Sequence, residues 1–181
     1  TEIYTLSLHD ALPILAGGWE DRLWIVTDEV LEFETLLPVI QAFDALESGV
    51  GLRITHEVLT GTWDALRDGR ADLVIGATNE PPVIPGLRWF ELGVMDWVFA
   101  VSPRHPLARA PEPVDAALLR QHRAVVVADT SRRLDARGYG VLGGQPALAV
   151  PSMRAKIEAQ RQGLGVGWLP RERVASLLAR G

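Results

Sequence analysis

Between Leu23 and Ala77 the chain alternates between short apolar runs and stretches at helical spacing, and this order constrains the fold more than any other feature. Leu23 to Thr27 reads as a buried strand followed by the acidic turn Asp28–Glu29. Leu36, Leu37, Ile40, Phe43 and Leu46 recur at helical spacing, which predicts an amphipathic helix over 34–47. Pro38 fits only in the first turn of that helix, where its missing N–H costs no intrahelical bond. Gly49 and Gly51 end it, and Leu52 to Leu59 alternates as a second strand. Thr60–Gly61–Thr62 turns the chain into a short helix over 63–68, Gly69 stops it, and Leu73 to Ala77 is a third strand. Strands separated by helices require right-handed crossovers and a largely parallel sheet, so the fold class is α/β.

A second feature divides the chain. In WVFAVSPRHP, Trp97 to Val101 is an apolar run short enough for one strand, and Pro103 and Pro106 punctuate it. A Pro-rich turn over 81–86 and a short strand over 87–92 precede it. Beyond it, the order of elements repeats loosely. A helix is expected over 112–121, with Leu118 and Leu119 inward, then a strand from Ala124 to Ala128 and a polar turn from Asp129 to Arg133. After an irregular, glycine-rich stretch over 134–145, Leu148 to Val150 is a strand and Ser152 caps a helix running to about 162. Val166 to Leu169 is a strand, and Pro170 starts a helix with Val174, Leu177 and Leu178 on one face. The stretch around Trp97 is read as the passage from one α/β lobe to another, with function expected in a cleft beside it.

Composition narrows the function classes. A net charge of −5 argues against phosphate-backbone contacts by this stretch. The chain has no cysteine, so disulfides and thiolate metal sites are excluded. No apolar run approaches a membrane span, and nothing near the start reads as a secretory signal, so no membrane partner is expected. The four histidines, His9, His56, His105 and His122, lack zinc-site spacing, and a surface role is expected for each. No serine lies in a G-x-S-x-G elbow. The glycines of GLGVG (Gly163, Gly165, Gly167) follow a helix and lead into a strand, the reverse of a phosphate loop, so they read as a tight turn with close backbone packing. Of the tryptophans, Trp97 and Trp168 lie in apolar strands and read as core, while Trp63 would floor a pocket or pack on the sheet. No cofactor and no metal are expected.

Small polar residues collect at the carboxyl ends of the expected strands: Asp28, Thr60, Thr62, Thr78, Ser102, Asp129, Thr130, Ser131 and Ser152. Ligands of open α/β sheets gather at such ends, where helix N-termini also offer free N–H groups. The competing structural reading makes them caps and turn formers.

Five stretches, LWIVTDEV, LLPVIQAF, LRITHEVLTGTWDALRDGRADLVIGA, GLRWFELGVMDWVFAVSPRHPLA and SMRAKIEAQRQGLGVGWLPRE, together resemble the C-terminal effector-binding domain of LysR-type transcriptional regulators over about residues 19–181. The resemblance implies two Rossmann-like lobes with a type II periplasmic-binding-protein-like fold, enclosing a cleft for a small-molecule effector and lacking catalysis. It implies a cytoplasmic regulator that is a homodimer or tetramer when intact, touching DNA only through an N-terminal winged helix-turn-helix outside these residues. The nine polar residues become the expected effector contacts. A periplasmic-type solute-binding protein and a small enzyme on the same bilobal fold are the alternatives.

Three points depart from the family pattern. Asp28 stands where many members carry Ser or Thr, and a fixed carboxylate there would repel a carboxylate effector, whereas Arg132 and Arg133 would attract one if they pointed inward. The family's return strand and terminal helix are expected to be missing after the last helix. Residues 1–18 contain TEIYTLSLHDALPI, which resembles translated sequencing-adaptor sequence, so the tract is read as foreign or disordered, a short strand plus linker being the alternative. The expected organisation is a tract over 1–18, lobe I over 19–98, and lobe II over 99–181.

Overall fold

The computed structural model describes residues 2–5 (backbone only), 22–78, 81–83, 85–134 and 139–180. Of the tract over 1–18 read as foreign or disordered, only residues 2–5 are described, and they form a strand; the rest lies outside the described residues, as do parts of the turn over 81–86 and of the irregular stretch over 134–145. Two compact units emerge: residues 1–94 with 129–136, and residues 95–128 with 137–181.

In the first unit, β1 (Glu2–Thr5) is followed by β2 (Arg22–Asp28), a 3-10 turn (Phe33–Leu36), helix α1 (Leu37–Asp44), β3 (Gly51–Glu57) and helix α2 (Thr60–Arg67). Strands β4 (Leu73–Ile75), β5 (Ala77–Thr78) and β6 (Phe90–Val94) complete it. β2 lies between β3 and β4 and is parallel to both, as the strand–helix alternation requires. Central β2 buries Ile25 through Asp28, whereas edge strand β3 alternates half-buried Leu52 and Ile54 with exposed Arg53 and Thr55. The core consists of Val26, Trp63, Ala65, Ala71, Val74 and Ala77, with Leu66, Leu87 and Leu134 packed against it. A separate sheet has the order β5-β1-β6, with β1 antiparallel to both neighbours.

The expected helix over 34–47 is shorter and partly overwound. The 3-10 turn takes its start, and the helix ends at Asp44, so Leu46 sits in the following turn. Leu36 and Phe43 are therefore buried, while Leu37 and Leu46 are exposed. Pro38 does lie in the first turn.

In the second unit, β7 (Trp97–Ala100) leads through a 3-10 turn (Pro106–Arg109) to helix α3 (Ala116–Arg120) and β8 (Ala124–Val127). β9 (Ala147–Val150), helix α4 (Met153–Arg161), β10 (Gly167–Pro170) and helix α5 (Arg171–Leu178) follow. β8 and β9 are parallel, and β10 pairs antiparallel with β7. Met153, Leu169 and Val174 form the core with Val98, Ala100, Val127 and Ile157. Helix α3 is shorter than the expected 112–121, since Pro111 and Pro113 precede it and disfavour helical backbone before them. Leu118 and Leu119 are only half-buried.

Two further expectations fail here. Trp168 is 47 % exposed on the outer face of β10, edge-on to Phe99, because strand alternation gives the inward positions to Gly167 and Leu169. His105 is buried, since its Nδ1 accepts the Leu107 N–H and so caps the 3-10 turn, and its ring packs edge-on against His122. Burial, and then the neighbouring His122, lower its pKa below the usual imidazole range. The GLGVG turn is as expected: a Cβ on Gly165 would lie 2.5 Å from the Arg123 carbonyl oxygen, and Gly163 has φ +76°.

Candidate functional site

In the first unit three carboxylates bind backbone N–H groups where loops gather at the carboxyl ends of β2 and β3. Asp28 ends β2, and its Oδ1 accepts the Val30 N–H at 2.9 Å, closing the turn. Its Oδ2 accepts the Leu59 N–H at 3.0 Å, which joins this turn to the residue preceding α2. Leu59 has φ +53°, a left-handed conformation that costs a non-glycine residue of order 1–3 kcal/mol and persists only when held. Burial drives the Asp28 carboxyl up, Glu29 and Asp129 add to the effect, and the two N–H bonds oppose it, leaving the pKa at about 7.

Asp129 Oδ1 accepts both the Ser131 N–H at 2.8 Å and the Gly61 N–H at 3.2 Å. Thr130 lies against β3: its Oγ1 accepts the Val58 N–H at 2.8 Å and donates to the Val58 carbonyl at 3.4 Å. A Cβ on Gly61 would lie 2.0 Å from that hydroxyl, so glycine is what permits the approach. Asp64, fully buried on α2, accepts three consecutive N–H groups at Oδ2: Arg132 at 2.5 Å, Arg133 at 2.8 Å and Leu134 at 3.4 Å. Burial pushes its pKa up, but the N–H groups of Arg133, Arg132 and Leu134, with Arg67, outweigh that and hold it below the usual carboxylate range. Arg133 extends outward to Asp68 at 3.3 Å, and Arg132 is exposed.

The nine expected contacts thus separate by what their polar atoms already do. Asp28, Asp129 and Thr130 are engaged as above, and Thr62 Oγ1 donates to the Leu59 carbonyl at 2.7 Å. Thr78 is buried and its carbonyl accepts the Trp63 indole N–H at 3.1 Å, so Trp63 packs on the sheet. In the second unit, Ser102 Oγ donates to the Arg161 carbonyl at 3.0 Å and accepts the Arg104 N–H at 3.3 Å. Ser152 caps α4 through the Ala155 N–H at 3.1 Å. Thr60 Oγ1 and Ser131 Oγ remain: both oxygens are buried and neither has a hydrogen-bond partner among the described residues, which also holds for Asp64 Oδ1.

The structure brings Asp28, Thr60, Thr62, Asp129, Thr130 and Ser131 together around the N-terminus of α2. Sequence reasoning missed Asp64, which sits beside Trp63 in a polar stretch and carries no mark of burial. It also missed Lys156 and Gln160, described below. Among the described residues no group of His, Cys, Asp or Glu could hold a metal ion, and no helix is long and apolar enough to cross a membrane.

Parallel strands with polar loops at their carboxyl ends are the architecture of open α/β ligand-binding domains. Residues 16–181 match the model of the LysR substrate binding domain, and the chain belongs to that family. It is 41% identical over 157 residues to the uncharacterized HTH-type transcriptional regulator YeeY of Escherichia coli, covering 87% of this chain and 51% of that protein. It is 35% identical over 127 residues to the HTH-type transcriptional activator AllS of Klebsiella pneumoniae, covering 70% and 47%. The chain spans about half the length of the curated relatives it matches. Its fold is similar to the C-terminal domains of a LysR family protein from Agrobacterium tumefaciens, with a TM-score of 0.59, 24% identity, and coverage of 90% of this chain and 78% of that one. The regulatory domain of MetR from N. meningitidis gives a TM-score of 0.60 at 22% identity, covering 88% and 75%. The fold class is thus the type II periplasmic-binding-like α/β fold of LysR regulatory domains.

Proposed function

We propose that this chain is the effector-sensing part of a LysR-type transcriptional regulator, binding a small metabolite without transforming it. The observation that carries the reading is the pair of buried, unpartnered hydroxyls of Thr60 and Ser131, in a loop cluster where Asp28, Thr62, Asp129 and Thr130 already have their hydrogen bonds. Leaving such groups unpaired costs about 1–3 kcal/mol each, a cost that a ligand with matching donors and acceptors would offset. Asp28, Asp64, Asp129 and Thr130 then act as the rigid frame that holds these hydroxyls, while Thr62, Thr78, Ser102 and Ser152 serve mainly as caps and turn ties. DNA contacts belong to a helix-turn-helix segment outside these 181 residues, in a cytoplasmic homodimer or tetramer. Effector binding would shift the regulator between two states through its differential affinity for them.

A thermal-shift screen of neutral and charged metabolites against the purified chain tests this reading. A true effector raises Tm for the wild type and loses most of that shift in Thr60→Val and Ser131→Ala. A shift that is equal in all three proteins would refute the assigned site.

A further inference from the structure

Helix α4 carries a second set of buried polar groups, none of them among the nine residues above. Lys156 is 6 % exposed and Gln160 is 3 % exposed, one helical turn apart on the face that packs against β8 and β10. Neither the amide nitrogen nor the amide oxygen of Gln160 has a hydrogen-bond partner among the described residues. Nor does the Lys156 ammonium have a carboxylate there, and burial alone accounts for its pKa being pushed down to about 8. Gly167 in β10 provides the space. A Cβ there would lie 3.0 Å from Gln160 Nε2, 3.0 Å from the Val125 carbonyl oxygen and 3.6 Å from Lys156 Cε. The lysine stem and the glutamine amide therefore converge on the Gly167 backbone, an approach that a Cβ there would crowd.

A largely buried ammonium without a counter-charge is costly, and an anion that paired with it would offset that cost. One ammonium and one amide match a monoanionic, planar acceptor. A phosphate dianion would need more donors, and the first-turn Ala155 N–H of α4 is already taken by Ser152.

We propose that Lys156, with Gln160 beside it, is the anchor for a carboxylate ligand of the second unit. This site stands apart from the one assigned to Thr60 and Ser131, and the two can fail separately.

The test uses the whole 181-residue chain in amide-resolved NMR, titrated with sodium acetate and sodium benzoate against sodium chloride at equal ionic strength. Saturable shifts are expected at Ala155 to Ile157, Gln160 and Gly167 with either carboxylate and not with chloride. Lys156→Met, which keeps the stem volume, is expected to weaken binding about tenfold or more, and Gln160→Leu by a smaller factor. Circular dichroism checks that both variants fold. Absence of saturable shifts in the wild type, which would mean that only water satisfies these groups, overturns the proposal. So does equal binding by Lys156→Met. If acetate binds through Lys156 but no metabolite depends on Thr60 or Ser131, the anchor survives and the site assigned above falls. If a metabolite depends on those hydroxyls but neither acetate nor benzoate binds through Lys156, the reverse holds.

Discussion

Replacing Gly61 with alanine tests the closest approach in the first unit. The added Cβ would stand 2.0 Å from Thr130 Oγ1 and 3.0 Å from Thr130 Cβ and carbonyl carbon, so Thr130 must move. Movement breaks the 2.8 Å bond from Val58 N–H to Oγ1 and strains the bond from Gly61 N–H to Asp129. Overpacking of this kind costs about 1–3 kcal/mol, and each lost hydrogen bond about 0.5–1.5 kcal/mol. Against this, alanine is worth up to about 1 kcal/mol over glycine within a helix, and position 61 lies in the first turn of α2. The net expectation is a loss of about 1–3 kcal/mol, read from the urea midpoint at unchanged m-value. Thr130→Gly removes both the hydroxyl and the Cβ that the new methyl group would meet, so the second arm is a double-mutant cycle. In the Thr130→Gly background the Gly61→Ala cost should fall below about 1 kcal/mol or change sign, giving a coupling of about 1 kcal/mol or more. Equal costs in both backgrounds would refute the reasoning, because they would place the penalty in the backbone of α2 rather than in contact with Thr130.

Asp64→Ala leaves the N–H groups of Arg132, Arg133 and Leu134 without their acceptor; a loss of about 2–4 kcal/mol is expected, with faster hydrogen exchange at those three amides than elsewhere in the unit. Asp28 titrates near 7 when folded and near its ordinary value when unfolded, so the folded state holds that proton more tightly. Its contribution therefore falls as pH rises from about 4 to 7 and is level above; urea titrations should show this slope in the wild type and not in Asp28→Asn. Asp64 has the opposite sign, since its folded pKa is depressed, and its contribution is lost only as pH falls below the ordinary carboxylate range. In the second unit, Gly165→Ala drives a Cβ to 2.5 Å from a backbone carbonyl and 2.9 Å from Val125 Cγ2, and a loss of about 2 kcal/mol or more of thermal stability is expected.

Element order was readable because strands and helices carry different periods, and β2, β3, β8 and α4 fall within a residue or two of where those periods place them. Burial was less readable wherever one residue serves a neighbour distant in sequence. Helix α4 buries Met153, Lys156, Ala159 and Gln160, but its large apolar residues are Met153 and the half-buried Ile157, so the pattern gives no sign that Lys156 and Gln160 are covered. His105 between Arg104 and Pro106 has the look of a surface turn, and only the Leu107 N–H shows why it is inside. Glycine in GLGVG marked close packing correctly, since the absence of a Cβ is legible in one dimension even when the atom it avoids is not. The loop cluster was legible as a set of polar residues after strands, but not as a division between frame and free groups. That division depends on backbone amides, which the sequence does not distinguish.

The same division changes what Asp28 implies about ligand charge. As a free carboxylate it would select a cation and reject an acid. Here both its oxygens are taken by the N–H groups of Val30 and Leu59, and a pKa of about 7 leaves it substantially protonated near neutrality. A group so engaged is a poor partner for an incoming ammonium, because forming that pair would take Leu59, already in a left-handed conformation, away from the bond that holds it. Its repulsion of an acid is weakened by the same protonation. Selection by charge then passes to groups still without partners, and selection by shape to the Thr60 and Ser131 hydroxyls. Asp28→Ser should accordingly destabilise the first unit through the lost Leu59 tie while leaving the preference between acidic and basic ligands in a thermal-shift screen largely unchanged. A reversal of that preference in Asp28→Ser would show that Asp28 sets the ligand's charge after all.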